Sequence, residues 1–119
     1  MKRLTLLAAL TSLLAGPAAA LEAMPAELAA IADLGQLNGQ ALACEQMAIA
    51  AAAKKLAIRH APKTRTYGET FEETTSAAFL AQGRKGQDPC PAASAFSSRL
   101  DELSVRLQSL LPATSATGE

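Results

Sequence analysis

Residues 96–110 are FSSRLDELSVRLQSL, the stretch with the clearest pattern in the chain. Its apolar side chains recur at alternating spacings of four and three residues: Phe96, Leu100, Leu103, Leu107 and Leu110. In a helix with about 3.6 residues per turn, that spacing places them all on one face. The charged residues between them fall on the other faces. The stretch therefore predicts an amphipathic helix, which ends at Pro112 because proline cannot continue it.

Three more helices are predicted before this one. The first covers 25–43 and begins with a proline, a residue suited to the first turn of a helix. The second covers 46–61, is rich in alanine and is expected to be largely buried. The third covers 66–82, where Thr66 and Glu69 have the spacing of a capping box.

The last helix is expected to begin at Asp88 and Pro89, a pair typical of a helix N-terminus. No segment alternates between apolar and polar residues as a half-buried strand does. The predicted fold is therefore all-α, a small antiparallel four-helix bundle in a single domain over 21–111. Residues 112–119 are expected to form a disordered tail. The pattern leaves open whether the first two helices are continuous.

The N-terminal segment 1–20 has the features of a cleavable secretory signal peptide. Lys2 and Arg3 precede an apolar run over 4–14, and three alanines end the segment at Ala20. The apolar run is too short to span a bilayer. Cleavage near Ala20 would release the mature chain into the periplasm or the medium.

Cys44 and Cys90 are the two cysteines of the chain, and an oxidising compartment favours a disulfide between them. They lie 46 residues apart, so in the chain-entropy model the bond would stabilise the fold by roughly 4 kcal/mol. A redox-active pair is the alternative, although such cysteines usually lie close together in sequence. We expect one disulfide that ties the end of the first helix to the start of the fourth.

Charge and composition exclude several classes of function. The whole chain carries 11 basic and 11 acidic residues, and loss of Lys2 and Arg3 with the signal peptide leaves a net charge of −2. So small a charge does not indicate nucleic-acid binding. One tyrosine and three phenylalanines are the only aromatic residues. We therefore expect a thin core made by close approach of helices.

No catalytic residue, metal site or cofactor is predicted. His60 is the single histidine, and no motif pairs it with a nucleophile. The acidic group Glu69, Glu72 and Glu73 lacks the Glu-x-x-His pairs of di-metal bundles, so it is expected to be a solvated helix face. His60 is expected to be partly buried at a helix end, with a pH-sensing or ligand role as the alternative.

A basic run without any acidic residue follows the middle of the second helix. Its members are Lys54, Lys55, Arg59, His60, Lys63 and Arg65. Such a patch suits anionic lipid head groups, envelope polysaccharide or an acidic protein partner. Alternatively, positive charge at a helix C-terminus simply complements the helix dipole.

Gly35, Asn38 and Gly39 interrupt the apolar face of the first helix. Glycines allow two backbones to approach closely, and a buried asparagine needs a hydrogen-bond partner because an unsatisfied amide costs roughly 1–3 kcal/mol. The group is therefore either a packing device against another helix or a small cleft that admits a ligand or a partner's side chain.

Two sequence segments carry a resemblance: LNGQALAC at 37–44 and APKTRTYGETFE at 61–72, followed by Cys90 and Pro91. With these segments the chain resembles uncharacterised small exported α-helical proteins of Gram-negative bacteria. The resemblance implies an exported helical protein and transfers no functional residue. In size and architecture alone, the chain is also similar to small acid-stress periplasmic chaperones.

These observations predict a non-enzymatic periplasmic module that binds another periplasmic or envelope protein. Contact with a membrane surface is a lesser possibility, and no nucleic-acid partner is expected. A periplasmic stress chaperone is the alternative function, and an enzyme of unknown type is the third.

Overall fold

A computed structural model describes residues 24–85 and 89–113. It contains four helices: α1 (Ala26–Ala43), α2 (Met47–His60), α3 (Arg65–Lys85) and α4 (Ala93–Leu110). No strand occurs within those two ranges, so the predicted all-α class is confirmed. The expected signal peptide, 1–20, and residues 114–119 of the expected tail lie outside the described residues.

Helix α1 is the centre of the bundle. It packs against each of the other three helices, most extensively against α3, and α2 also packs against α4. Contacts along α1 and α3 advance in the same direction, because Gly35 lies beside Thr74 and Gln40 donates to Gln82. Helix α4 runs the opposite way to α1, because Asp33 meets Arg106, whereas Gln40, farther along α1, lines a cleft with Phe96, near the start of α4. The predicted antiparallel bundle is confirmed, with its diagonal pair α1 and α3 in direct contact.

The fully buried core is formed by α1, α2 and α4. Its apolar members are Ala30, Ile31, Leu34, Leu37, Ala41, Ile49, Ala50, Ala53, Ala57, Phe96, Leu103 and Leu107. Helix α3 contributes only partly buried side chains, among them Tyr67 and Phe71. The many alanines let the helices approach closely, and the leucine stripe of α4 fills the space between α1 and α2. Helix α3 is therefore an outer element attached to α1.

Gly35 and Gly39 set the distance between α1 and α3. A Cβ at position 35 would lie 2.7 Å from the Phe71 carbonyl oxygen, and a Cβ at position 39 would lie 2.9 Å from the Ala78 Cβ. Carbon atoms in van der Waals contact normally lie about 3.5–4.0 Å apart. Only glycine at both positions permits this approach.

The chain turns sharply between α1 and α2, so these helices are separate. Glu45 has a φ of 57°, in the left-handed region. The backbone N–H of Glu45 donates to Leu42 at 3.3 Å, and that of Gln46 donates to Ala41 at 2.8 Å. This pair of hydrogen bonds is a Schellman motif, which satisfies carbonyl groups at the end of α1.

The Cys44–Cys90 disulfide is confirmed, with 5.8 Å between the two Cα atoms. It ties the α1–α2 turn to the segment that precedes α4. The prediction that α4 begins around Asp88 and Pro89 was wrong, because the helix begins at Ala93 and Cys90 lies before it. The prolines at 89 and 91 favour an extended backbone in this segment. Asp88 itself lies outside the described residues.

The N-terminus of α3 also differs from its prediction. Helix α3 begins at Arg65, so Thr66 lies inside its first turn and does not cap it. The preceding Thr64 occupies the capping position, where its Oγ1 accepts the backbone N–H of Tyr67 at 3.4 Å. None of the helices in the described ranges is both long and apolar enough to cross a membrane.

Candidate functional site

A groove runs between α2 and α3. Both helices pack on α1, but they make few contacts with each other. The groove has two depressions, of about 360 Å³ and about 260 Å³. Lys54, Phe71 and Glu72 line both depressions, which makes them the boundary between the two. We call this feature the α2–α3 groove.

The first depression lies over α1. Asn38 and Leu42 line it from α1, Met47 from α2 and Thr75 from α3. Asn38 is only 7% exposed, and its Nδ2 donates to Thr75 Oγ1 at 3.2 Å. This hydrogen bond gives the buried amide a partner within the same chain. A binding role for Asn38 stays a prediction.

The second depression lies toward the α2–α3 loop. Ile58, Tyr67 and Gly68 line it, and Pro62 and Lys63 close its end. The Lys63 ammonium group donates to the carbonyl oxygen of Ile58, near the C-terminus of α2. Lysine is favourable at this position because it satisfies an orphan carbonyl and complements the helix dipole.

The structure separates the predicted basic run into distinct locations. Lys54 lines the groove, whereas Lys55 and Arg59 are exposed on α2 and do not line it. Arg65 lies on α3, where it pairs with Glu69 at 3.9 Å between two well-exposed side chains. Such an exposed ion pair contributes little to stability. The cations that line the groove, Lys54 and Lys63, are thus on its α2 side.

His60 faces away from the groove. It is 7% exposed, and its Nδ1 donates to the carbonyl oxygen of Leu111 at 2.7 Å. This hydrogen bond joins the end of α2 to the end of α4. With Arg59 and Lys63, His60 instead lines a separate cleft of about 430 Å³ between the end of α2 and the end of α4.

The acidic residues of α3 are exposed on the opposite side of the groove from the lysines. Glu72 lines both depressions, and Glu69 and Glu73 lie beside it on the same helix. No group of side chains in the described ranges could hold a metal ion. The groove has a lysine on its α2 wall and a glutamate on its α3 wall, and Asn38 and Leu42 of α1 form the floor of its first depression.

The prediction of a largely buried α2 was wrong, and for this reason the groove was not predicted from the sequence. Met47 is 54% exposed and Ile58 is 60% exposed, and both line it. Together with Ala51 and Lys54 they form a line at i, i+4, i+7 and i+11. That line is distinct from the buried one that includes Ile49 and Ala53, and it could have indicated a second apolar face.

Another cleft, of about 300 Å³, lies between α1 and α4. Gln36, Gln40 and Arg99 are among its lining residues. The α2–α3 groove is the stronger candidate because it brings together Asn38 and Lys54, two of the residues indicated by the sequence, with exposed apolar side chains. Comparisons of the chain with family models, curated proteins and solved structures found no match.

Proposed function

We propose that the mature chain is an exported, non-enzymatic module of the cell envelope that binds a segment of a partner protein in the α2–α3 groove. One observation carries this proposal: Met47 and Ile58, two of the large exposed apolar residues, line a groove that no element of the described chain covers. Apolar surface of this kind marks interaction sites in proteins. Fully covering such a side chain contributes roughly 1.5–3 kcal/mol.

Export is supported by two independent features. Residues 1–20 have the charged, apolar and small-residue regions of a signal peptide. The Cys44–Cys90 disulfide belongs to the kind that persists in oxidising compartments such as the periplasm. Periplasmic residence is therefore part of the proposal.

The charges around the groove favour a protein partner over an anionic membrane surface. Lys54 and Lys63 line the groove and would attract such a surface. Glu72 on the other wall would repel it, as would Glu69 and Glu73, which are exposed on the same helix. A flat surface would also leave the floor of the groove uncovered. A protein segment can enter the groove and carry charges of both signs.

Site-directed photo-crosslinking tests the proposed function. A photoreactive residue replaces Ile58 in the oxidised mature protein, and the same residue replaces Val105 in the control. Val105 is 71% exposed on α4 and outside the groove. Irradiation in a cell-envelope extract should yield a protein adduct from position 58 and not from position 105. Equal labelling from both positions would contradict the proposal.

Sedimentation with liposomes tests the competing proposal that the groove binds an anionic membrane surface. Vesicles rich in anionic lipid are sedimented with the mature protein at low salt, where electrostatic attraction is strongest. We expect the protein to remain in the supernatant. If the unmodified protein sediments with the vesicles and the Lys54→Glu variant does not, the groove binds a membrane surface and the proposed protein partner is wrong.

A stress chaperone is the second candidate function, and α3 is the observation that favours it. This helix adds no side chain to the fully buried core and carries Phe79 and Leu80, which are 45% and 53% exposed. Its detachment would expose the apolar surface that chaperones use. Binding of a hydrophobic dye should then rise on acidification to about pH 3. Unchanged dye binding would eliminate this candidate.

A further inference from the structure

The cleft at the end of the bundle where α2 and α4 both terminate combines apolar and basic lining residues. We call it the α2–α4 cleft. Leu110 and Leu111 are among its apolar residues, and Arg59, His60 and Lys63 are its basic ones. None of the described residues that line it is acidic. Its volume of about 430 Å³ is in the range of small-molecule sites, which is about 300–1,000 Å³.

His60 presents one ring nitrogen to the α2–α4 cleft. Its Nδ1 donates to the carbonyl oxygen of Leu111 at 2.7 Å. Because a carbonyl oxygen can only accept, Nδ1 carries a proton, and the lone pair of the neutral ring is on Nε2. Nε2 has no hydrogen-bond partner among the described residues, and no side-chain nitrogen of those residues is fully buried without a partner. Nε2 therefore reaches the surface at the cleft that His60 lines, although the residue is only 7% exposed.

Positive charge prevails in the cleft even though two helices end there. The C-terminus of a helix carries about −0.5 charge, so two such ends contribute about −1. Arg59 of α2 and Lys63 of the following loop outweigh them, and α4 contributes no charged side chain to the lining. Helices α1 and α3 contribute no lining residue. The cleft is therefore suited to an anion.

We propose that the α2–α4 cleft binds a small amphiphilic anion and that protonation of His60 completes the site. The apolar lining covers the apolar chain of the ligand, and Arg59 and Lys63 attract its acidic head group. The site does not require a partner in the α2–α3 groove. It is thus a second binding activity, beyond the proposed function.

The protonation state of His60 determines what Nε2 offers to the ligand. In the neutral ring, Nε2 turns a lone pair towards an anion and disfavours its binding. In the protonated ring, both nitrogens are donors, so Nε2 donates to the head group while Nδ1 keeps its hydrogen bond to Leu111. Histidine changes its charge between about pH 5 and pH 8. Anion affinity therefore rises as the pH falls through this range.

The apolar lining favours a free molecule over a lipid held in a bilayer. A bilayer lipid would bring only its head group to the cleft, because its chains stay in the membrane. Leu110 and Leu111 would then remain uncovered. A free amphiphile covers them and also places its head group beside Arg59.

Octanesulfonate is the probe, used below the concentration at which it forms micelles. It is fully ionised at both about pH 6 and about pH 8, so a change in its affinity between them reports on the protein. Octanol lacks its charge, methanesulfonate lacks its chain, and octyltrimethylammonium carries the opposite charge. Isothermal titration calorimetry measures affinity, and buffers of different ionisation enthalpy reveal proton uptake on binding.

Arg59→Glu and Lys55→Glu form a matched pair of variants, since both residues are exposed on α2 and only Arg59 lines the cleft. Lys54→Glu is the control for binding in the α2–α3 groove. His60→Gln removes the titrating ring but keeps an amide that can donate to Leu111. Circular dichroism checks that each variant keeps its helix content.

Octanesulfonate should bind the unmodified protein about fivefold or more tightly at the lower pH, with uptake of protons. The three control ligands should bind at least about tenfold more weakly than octanesulfonate. Arg59→Glu should weaken binding about tenfold or more, whereas Lys55→Glu and Lys54→Glu should change it little. His60→Gln should abolish the pH dependence. If that variant fails to fold, the proton uptake of the unmodified protein and the Arg59→Glu variant decide.

Equal binding of octanol or octyltrimethylammonium would overturn the anion site, because the cleft would then recognise only an apolar chain. Equal affinity at the two pH values without proton uptake would overturn it as well, since His60 would supply no donor. Loss of binding in Lys54→Glu would place the anion in the α2–α3 groove instead. Sedimentation with anionic vesicles at about pH 6 that is lost in Arg59→Glu would show that the cleft binds a membrane and not a free amphiphile.

Discussion

Gly39 packs so closely against Ala78 that a Cβ at position 39 would lie 2.9 Å from the Ala78 Cβ. The backbone nitrogen of Phe79 would also lie 2.9 Å from that Cβ, and the carbonyl oxygen of Thr75 would lie nearer still. Backbone cannot rotate away as a flexible side chain can. The contact between α1 and α3 therefore depends on the missing side chain of Gly39, although glycine lowers the intrinsic stability of a helix.

Gly39→Ala should destabilise the protein by about 2 kcal/mol. Overpacking of a tight interface typically costs about 1–3 kcal/mol, which exceeds the gain in helix propensity. Gly83→Ala is the matched control, because its Cβ meets nothing within 4 Å, and it should stabilise by about 0.5–1 kcal/mol. Urea denaturation measures both. A Gly39→Ala variant as stable as the unmodified protein would contradict the close packing.

The sequence predicted the helices better than their arrangement. The leucine stripe beginning at Phe96 has an unambiguous period, and prolines or glycines mark most helix ends. Arrangement depends on contacts between distant residues, such as Gly39 with Ala78. Asn38 and the two glycines indicated that α1 meets another helix closely, but one sequence contains no information that this helix is α3.

The groove could be predicted only in part. Lys54 and Asn38 were candidates from their charge and position, whereas Met47 and Ile58 lie on a helix that was expected to be largely buried. An alanine-rich helix with apolar residues around most of its circumference gives no reliable buried face. Tertiary packing decides which side of α2 remains uncovered, because α3 packs on α1 and not on α2.

Glu45→Gly should stabilise the protein by about 0.5–1 kcal/mol. Glu45 has a φ of 57° at the position of the Schellman motif where glycine is most common. A left-handed conformation costs a non-glycine residue about 1–2 kcal/mol, and the entropy lost by glycine offsets part of the gain. The melting temperature should rise by about 4 °C.

The control for that variant is Glu45→Ala, which removes the same charge but keeps a Cβ. Because alanine bears the same left-handed penalty as glutamate, its melting temperature should stay close to that of the unmodified protein. A similar rise in both variants would attribute the effect to charge and not to backbone conformation.

Removal of the Cys44–Cys90 disulfide should cost roughly 4 kcal/mol, since the bond closes a loop of 46 residues. That is a large part of the stability of a small domain, which is about 5–15 kcal/mol in total. The Cys44→Ser/Cys90→Ser variant should therefore unfold at much lower urea concentration. Reducing agent should lower the stability of the unmodified protein to that of the variant and leave the variant itself unchanged. A variant that matches the oxidised protein would contradict the expected contribution.

Asn38 and Thr75 form a hydrogen bond that can be tested as a pair. Asn38→Leu alone leaves the Thr75 hydroxyl without this donor, and Thr75→Val alone removes the acceptor of the Asn38 amide at 3.2 Å. Each single change should cost about 1–2 kcal/mol, because a buried polar group loses its partner. The double variant should recover most of that loss, since apolar groups of similar shape replace both partners. A double-mutant cycle in urea measures the coupling.

The same double variant tests whether Asn38 is a packing residue or a residue that binds the partner. It keeps the α1–α3 contact but makes the floor of the first depression apolar. If the photo-crosslinked adduct from position 58 forms in the double variant as it does in the unmodified protein, the role of Asn38 is to join α1 to α3. If the double variant is stable but the adduct falls about tenfold, a change comparable to the loss of one central interface residue, then Asn38 contacts the partner segment through the amide group that leucine lacks. Coupling near zero would instead show that the Asn38–Thr75 hydrogen bond does not hold the two helices together.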